Sequence, residues 1–378
     1  MRRLSQLALL AFVALMAVDV PRPFASVTFA DLAMLLATVA WGVQWIARSV
    51  ELPSGAVLPC ALGYLACAAA SAIAHRSGGW KVIGLCELTA VLVVTSSLTE
   101  DEAFRRRVVR VWCVAAAGLC VVGLGVAGLA LAGVDPSPLY AGGGELSLAI
   151  RPAGLCRSGM LAEVALVPLV VLLLDGERWF ARTPRRILLA ILATATALTL
   201  TRTLLALAVG LLVAHGLRSR RWALPAVGIA LLVGFAFASV RLDVHGAGEP
   251  GIRWRIARSA LDNAAAHPLI GLGPGASPAE AGWPHATDPP VVWDAHSTVL
   301  DIAATLGLPA LLAFLALLVV ILRAPTSELA LRAALFATFF DALTIDVEDF
   351  RHVWLLFGLL CATRPTRPSA GRKAPRYE

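Results

Sequence analysis

The sequence contains a series of apolar runs that are long enough, or nearly long enough, to cross a lipid bilayer, and this pattern constrains the fold more than any other feature. A transmembrane helix needs about 20 predominantly apolar residues. Charged residues make up only 15% of the chain, against about 25% in a soluble domain. The runs lie at about residues 4–18, 24–47, 56–74, 80–98, 108–134, 159–174, 187–201, 203–217, 222–240, 298–322, 329–344 and 352–363. They predict an all-α, polytopic integral membrane protein with about twelve transmembrane helices.

Two of these runs are ambiguous in length or position. The first follows Arg2 and Arg3 and resembles a signal peptide, but residues 19–21 lack the small-x-small cleavage pattern, so we predict a retained helix. The stretch 187–217 is too long for one span and short for two. We predict a tight hairpin with Arg202 at its tip, and a single helix is the alternative.

The basic residues indicate which loops face the cytoplasm. Clusters at 105–110, 178–186, 218–221 and 364–376 fall on one side when the spans alternate, as the positive-inside rule requires of cytoplasmic loops. If 187–217 were a single span, the cluster at 218–221 would face outward, so the positive-inside rule favours the hairpin. We therefore predict a bacterial inner-membrane protein with both termini in the cytoplasm. The net charge of +7 does not indicate nucleic-acid binding, because the basic residues are short flanks of helices.

The predicted topology divides the chain into four parts. Residues 1–240 hold nine transmembrane helices, 241–297 form one large periplasmic loop, 298–363 hold the last three helices, and 364–378 are a basic cytoplasmic tail. Loops of more than about 15 residues are usually functional or disordered. This loop is not of low complexity, which makes it the first place to look for a site.

The loop opens with a predicted amphipathic helix that begins near residue 251 and ends at Pro268. A spacing of three and four residues puts two groups on different faces. The apolar face is Trp254, Ala257, Leu261 and Ala264, and the polar face is Arg255, Arg258 and Asp262. We expect this helix to lie on the membrane surface with its arginines exposed. These arginines would bind either a substrate or, as the alternative, the phosphates of the lipids.

A glycine-rich segment and a histidine complete the loop. Gly271, Gly273 and Gly275 alternate, which permits turns and close approach of a ligand to the backbone. No strand precedes them, so a dinucleotide site is not indicated. His296 comes just before an apolar helix that Ser297 or Thr298 can cap.

The position of His296 suits a general base. A neutral imidazole is favoured near a helix N-terminus, because the dipole disfavours a second positive charge. Asp294 lies two residues away and could orient the ring. An interfacial histidine hydrogen-bonded to the backbone is the alternative. The histidines are not spaced like a zinc motif, so we predict no metal and no cofactor.

Two further arginines face outward in the predicted topology. Arg202 interrupts an apolar stretch, where a charge is costly unless it serves a site. Arg151 ends the predicted outer loop 135–158. Snorkelling of Arg202 to the interface and ordinary solvation of Arg151 are the alternatives.

The order of these motifs resembles the O-antigen ligase and polymerase superfamily of polytopic membrane glycosyltransferases over residues 150–320. The resemblance rests on Arg151-x-x-Gly154, Leu200-Thr201-Arg202, Arg253-Trp254, His267-Pro268-Leu269-x-Gly271-x-Gly273-x-Gly275, His296-Ser297-x-x-Leu300 and Gly307-Leu308-Pro309. The chain departs from the family where His296-Ser297 stands for the common His-Asn and Thr201-Arg202 stands for the common Ser-Arg. Both changes keep a small polar neighbour.

The resemblance implies transfer of a glycan from an undecaprenyl-pyrophosphate carrier to an acceptor hydroxyl, without a metal and with inversion. The acceptor would be lipid A core for a ligase, another lipid-linked repeat for an O-antigen or exopolysaccharide polymerase, or a protein hydroxyl for other relatives. Arg202 and Arg151 would bind the pyrophosphate, because arginine forks hydrogen-bond phosphate oxygens in pairs. Arg253, Arg255 and Arg258 would assist, and His296 would be the base.

Two other classes of function fit a dozen helices. A transporter or lipid flippase would be expected to show sequence repeats, and none is evident between the two halves of the chain. A non-catalytic envelope protein would tolerate the loss of His296. The sequence leaves the oligomeric state, the sugar and the acceptor open.

Overall fold

The computed structural model describes residues 1–18, 27–50, 52–53, 55–134, 158–199, 203–218, 252–277, 279–281, 291–293, 295–324, 328–343 and 345–362. This part of the chain folds into thirteen helices. They are α1 (Arg2–Leu15), α2 (Phe29–Ile46), α3 (Val57–His75), α4 (Gly79–Leu98), α5 (Glu102–Leu131), α6 (Ser158–Trp179), α7 (Arg182–Leu198), α8 (Thr203–Arg218), α9 (Ile252–Ala266), α10 (Thr298–Thr305), α11 (Leu308–Arg323), α12 (Leu329–Ala342) and α13 (Arg351–Cys361).

Several of these helices have the length and composition of membrane spans. Four are long and apolar enough to cross a bilayer: α2, α3, α4 and the Glu102–Leu129 part of α5. The helices α11 and α13 are shorter apolar helices. The protein is a multi-pass membrane protein, as predicted. The predicted span at 222–240 lies outside the described residues.

The described residues have the predicted all-α architecture, with one short strand pair that the sequence did not predict. Two strands, β1 (Ala279–Ala281) and β2 (Val291–Trp293), pair antiparallel within the long loop, with Ala279 opposite Trp293. Alternation over only three residues gives a weak sequence signal, and Gly282 and Pro284 nearby favour turns.

Two predicted helix boundaries have different outcomes. The stretch 187–217 forms two helices, α7 and α8, as the charge argument favoured. The stretch 298–322, predicted as one span, is instead broken into α10 and α11. The break occurs at Gly307, which has a φ of 88°. Only glycine adopts such a backbone without strain.

Close packing between helices depends on small residues. At Gly358 of α13, an added Cβ would lie 2.6 Å from the Cβ of Thr95 on α4 and 2.9 Å from the carbonyl oxygen of Leu92. Small residues let helix backbones approach where a lipid environment gives little hydrophobic driving force. Gly358 therefore sets the contact between α4 and α13.

Two groups of ion pairs lie at opposite ends of α12. Next to its first residue, the buried Glu328 contacts Arg105 of α5 at 3.0 Å and Arg178 of α6 at 3.4 Å. Beyond its last residue, Glu348 contacts Lys81 of α4 at 2.8 Å. Helix ends converge in both places, as alternating spans require. The first group joins segments that the charge rule puts in the cytoplasm.

A further ion pair at the Glu348 end joins α13 to acidic residues of α2 and α4. Arg351 of α13 pairs with Asp31 of α2, and its Nε lies 3.1 Å from Glu87 of α4. Asp31 also completes a capping box with Thr28 at the start of α2. These acids have structural partners.

Candidate functional site

The glycine-rich segment docks on the helix ends that surround Glu348. Its backbone follows the break between α10 and α11: Leu272 and Gly273 donate to the carbonyl oxygens of Ala304 and Thr305, each at 2.9 Å. The hydroxyl of Ser71 on α3 donates to the carbonyl oxygen of Ile270 at 2.6 Å. The described part of the long loop is therefore joined to α3 and α10.

Two of the three glycines serve this docking. At Gly271, which has a φ of 60°, an added Cβ would lie 2.3 Å from the carbonyl carbon of Thr305. The N–H groups of Gly271, Leu272 and Gly273 all donate within the protein. These three amides are therefore engaged by the protein itself, whereas an added Cβ at Gly275 would meet nothing within 4 Å.

His296 lies directly before α10 in an uncommon backbone conformation. Its φ is 50°, in the left-handed region, and its side chain is half-buried. Non-glycine residues in this region are few and cluster at functional sites. Ser297 is the N-cap residue, although its side chain makes no capping hydrogen bond.

Thr298 connects the His296 segment to the turn after α12. Its backbone N–H and its hydroxyl both donate to the carbonyl oxygen of Ile345, at 3.3 and 3.1 Å. The same hydroxyl accepts the N–H of Val347 at 2.9 Å. The side chain is buried. The hydroxyl of Thr298 was predicted as a possible helix cap, but it forms these hydrogen bonds to the turn after α12 instead.

Three carboxylates meet beside this connection. Oxygen atoms of Asp301, Asp346 and Glu348 lie within 4.8 Å of one another. Glu348 is fully buried and accepts a hydrogen bond from the hydroxyl of Tyr64 at 2.7 Å. The N–H of Ala295 donates to Asp301 at 3.5 Å. Ala295, before the His296–Ser297 pair, is thus joined to this acidic group, and Thr298, after the pair, is joined to the backbone on both sides of Asp346.

Burial and mutual repulsion change the protonation of the group. Burial, together with the nearby carboxylates of Glu348 and Asp301, raises the pKa of Asp346 to about 9, while Lys81 opposes the change. Burial also raises the pKa of Glu348, and Lys81 again opposes it. At neutral pH, a proton is therefore held within the group. Three carboxylates are also ligands of the type that Mg²⁺ and Ca²⁺ prefer, so these residues could hold a divalent cation.

The helix α9 packs against the protein through one face and leaves part of its predicted apolar face exposed. Ile256, Ala260 and Ala264 are buried, and Ala260 and Ala264 pack with Ala295, Ala303 and Ala304. Trp254 and Leu261 of the predicted apolar face are 41% and 50% exposed, as a face turned towards the membrane would be. The helix carries two apolar stripes, and the one with alanines packs because small side chains permit close approach to α10.

The arginines of α9 divide between two environments. Arg258 is exposed and lies 3.9 Å from Asp262, four residues later. Arg255 is half-buried. Arg253 belongs to the helix, but its side chain lies outside the described part, as do residues Arg151, Arg202 and Asp294 as a whole. Among the predicted site residues, the structure therefore describes His296, Arg255 and Arg258 in full.

An apolar cavity of about 260 Å³ opens beside Thr298 and Val299. Its walls come from α8, α11 and α12, with Phe314, Phe336 and Phe340 among the lining residues. The lining suits an alkyl chain rather than a polar ligand.

One comparison with known protein families concerns the central part of the chain. A family model described as O-antigen ligase matches residues 187–315. This match supports the O-antigen ligase superfamily for that part of the 378-residue chain. The matched region begins within α7 and ends within α11, so that it contains Arg202, α9, the glycine-rich segment and His296. Comparison with curated proteins and with solved structures gives no match.

The region that matches the family model does not contain all the residues of the acidic group and its partners. Tyr64, Lys81, Asp346 and Glu348 lie before or after it in the chain. The sequence analysis missed these residues because none belongs to a recognised motif. One signal was available: three acids within residues 346–349 follow an apolar run at the membrane boundary, where charged residues are costly.

Proposed function

We propose that this protein transfers a glycan from an undecaprenyl-pyrophosphate carrier to an acceptor hydroxyl on the periplasmic face of the bacterial inner membrane. The carrier, the acceptor and the side of the membrane are parts of this proposal. The observation that carries it is the O-antigen ligase match, which spans both Arg202 and His296. A lipid-linked donor is compatible with a multi-pass membrane protein.

The proposed site lies where the long loop meets the outer helix ends. His296 is half-buried there and lies within two residues of Thr298, which lines the apolar cavity. A lipid-linked glycan has an apolar chain and a polar head, and the cavity lies beside the polar segment. This arrangement supports a site at the membrane boundary.

The chemistry requires one bond to form and one to break. The acceptor oxygen attacks the anomeric carbon, the bond from that carbon to the phosphate oxygen breaks, and its electron pair leaves with the pyrophosphate. His296 would remove the proton of the acceptor hydroxyl, a role worth about 10²–10⁴-fold. Arg202 and Arg151 would stabilise the departing pyrophosphate. Direct attack inverts the anomeric configuration.

Other residues would assist this step. They are Arg253, Arg255 and Arg258 of α9, of which Arg255 is half-buried and Arg258 is exposed, 3.9 Å from Asp262. Asp294 would orient His296. The scheme uses no metal and no other cofactor.

A ligase would use lipid A core as the acceptor, and a polymerase would use a second lipid-linked repeat. The description of the matching family favours the ligase. Incubation of the purified protein with lipid-linked glycan alone and with added lipid A core distinguishes the two. Glycan on lipid A core indicates a ligase, and longer lipid-linked glycan indicates a polymerase.

The proposal is tested by the variants Arg202→Ala and His296→Ala in the native host. Surface glycan is analysed by gel, with the amount of membrane-inserted protein measured for each variant. Both variants should lose the glycan product. Arg218→Ala is the matched control, since Arg218 ends α8 whereas Arg202 precedes it. Wild-type glycan in both variants would contradict the proposed site.

A transporter or flippase would behave differently in the same preparation. The proposed enzyme should form the glycosidic product with purified components, in detergent and without ATP. A flippase would move the lipid-linked glycan across a vesicle membrane and leave its covalent structure unchanged.

A further inference from the structure

The hydroxyl of Thr298 uses both its donor and its acceptor capacity to join two segments of the chain. It donates to the carbonyl oxygen of Ile345 and accepts from the N–H of Val347. Residue Thr298 is 1% exposed. In a buried setting these hydrogen bonds have no water to replace them, so the contact fixes the position of residues 345–347.

The same contact supports the backbone at His296. A left-handed conformation at a non-glycine residue persists only where its surroundings hold it. His296 is followed after one residue by Thr298, and it is preceded by Ala295, whose N–H donates to Asp301. Asp301 lies within 4.8 Å of Asp346 and Glu348. Both flanks of the histidine are therefore anchored near residues 345–348.

These residues lie outside the region that matches the family model. That region ends at residue 315, and Ile345 and Val347 follow α12. We infer that Thr298 is a positioning residue, which holds residues 345–347 as a second wall of the transfer site and fixes the turn at His296. This inference rests on the proposed function.

The expected effect of removing the hydroxyl follows from the geometry. Thr298→Val keeps the shape of the side chain and its contact with the apolar cavity, but it loses both hydrogen bonds of the hydroxyl. A small displacement of a catalytic group, of about 1 Å, can cost on the order of 100-fold in rate. We expect kcat to fall by about 10- to 100-fold, with little change in KM, because the two hydrogen-bond partners of this hydroxyl are backbone groups of Ile345 and Val347.

The experiment measures glycan transfer by the purified full-length protein in detergent. The donor is undecaprenyl-pyrophosphate-linked glycan and the acceptor is lipid A core. Wild type, Thr298→Val and Thr298→Ser are compared, because serine restores the hydroxyl. Thr89→Val is the matched control: its buried hydroxyl donates only to Leu85 within α4. Melting temperatures are recorded for all four proteins.

The inference is supported if Thr298→Val loses kcat while Thr298→Ser and Thr89→Val keep it. It is overturned if Thr298→Val keeps wild-type kcat, or if serine fails to restore the activity of a folded protein. If Thr298→Val does not accumulate, Thr298→Cys takes its place, because a thiol is a weak donor and acceptor of similar size. An inactive wild type with intact substrates would overturn the proposed function itself, and this inference with it.

Discussion

The ammonium group of Lys81 lies 2.8 Å from a carboxylate oxygen of Glu348, a residue with no solvent exposure. Removing one partner of a buried ion pair leaves the other charge uncompensated, which costs about 3–5 kcal/mol. We predict that Lys81→Met lowers the melting temperature of the purified protein strongly. The double variant Lys81→Met with Glu348→Gln should recover much of the loss.

The matched control for this prediction is Asp262→Asn. Asp262 and Arg258 are both exposed and lie 3.9 Å apart. Exposed ion pairs contribute about 0–1 kcal/mol, so this variant should melt like wild type. Equal melting temperatures for Lys81→Met and wild type would show that the pair does not hold α4 to the segment after α12.

The glycine-rich segment provides a test of docking. Gly271→Ala places a methyl group 2.3 Å from the carbonyl carbon of Thr305, whereas Gly275→Ala meets nothing within 4 Å. Both glycines have positive φ values, of 60° and 78°. The strain alone costs roughly 1–2 kcal/mol at each position. Gly271→Ala should therefore lower the melting temperature clearly more than Gly275→Ala, and similar values would contradict the described packing.

The raised pKa of Asp346 predicts a pH dependence of stability. Burial, together with the nearby carboxylates, raises this pKa from 3.8 to about 9, so the folded state retains a proton that the unfolded state releases. The associated stability is fully present below about pH 4 and is lost as the pH rises towards 9. The Asp346→Asn variant cannot release a proton and does not lose this stability. The melting temperature of the variant minus that of wild type should therefore rise from about pH 5 to about pH 9.

Thermal unfolding in detergent at several pH values measures this difference. The exposed Asp262→Asn variant should follow wild type throughout. A constant offset between Asp346→Asn and wild type across the range would show that Asp346 is ionised in the folded protein.

A metal-independent reaction predicts that chelation has no effect. Glycan transfer by the purified protein should be unchanged after treatment with EDTA. Loss of activity that Mg²⁺ or Ca²⁺ restores would instead indicate a cation at Asp301, Asp346 and Glu348, whose oxygen atoms are close enough to share one. In that case Asp346→Asn should also weaken the response to the cation.

Local patterns in the sequence predicted much of the fold. The helices α2 to α8 follow apolar runs of suitable length, and the charge rule separated α7 from α8 at residues 199–202. The break at Gly307 was missed because apolar composition is continuous across it, while the positive φ depends on tertiary contact with Leu269 and Ile270.

The site was only partly predictable for a different reason. His296 stood out because it borders an apolar run. Tyr64, Lys81 and Glu348 meet only in the folded protein, where Tyr64 contacts Glu348 across a separation of 284 residues. No periodicity in a single sequence reports such a contact. The contact of Ala260 and Ala264 of α9 with α10 was also not predictable, because the spacing of apolar residues does not say which of two apolar stripes packs on the protein.

The central claim is that His296 is the base in a glycan transfer catalysed by the protein itself. The most direct measurement is the rate at which purified wild type and His296→Ala form glycosylated product from undecaprenyl-pyrophosphate-linked glycan and a hydroxyl acceptor, with Arg218→Ala as the control. The account predicts that His296→Ala is slower by about 10²–10⁴-fold while Arg218→Ala matches wild type. Equal rates for wild type and a folded His296→Ala variant would contradict it.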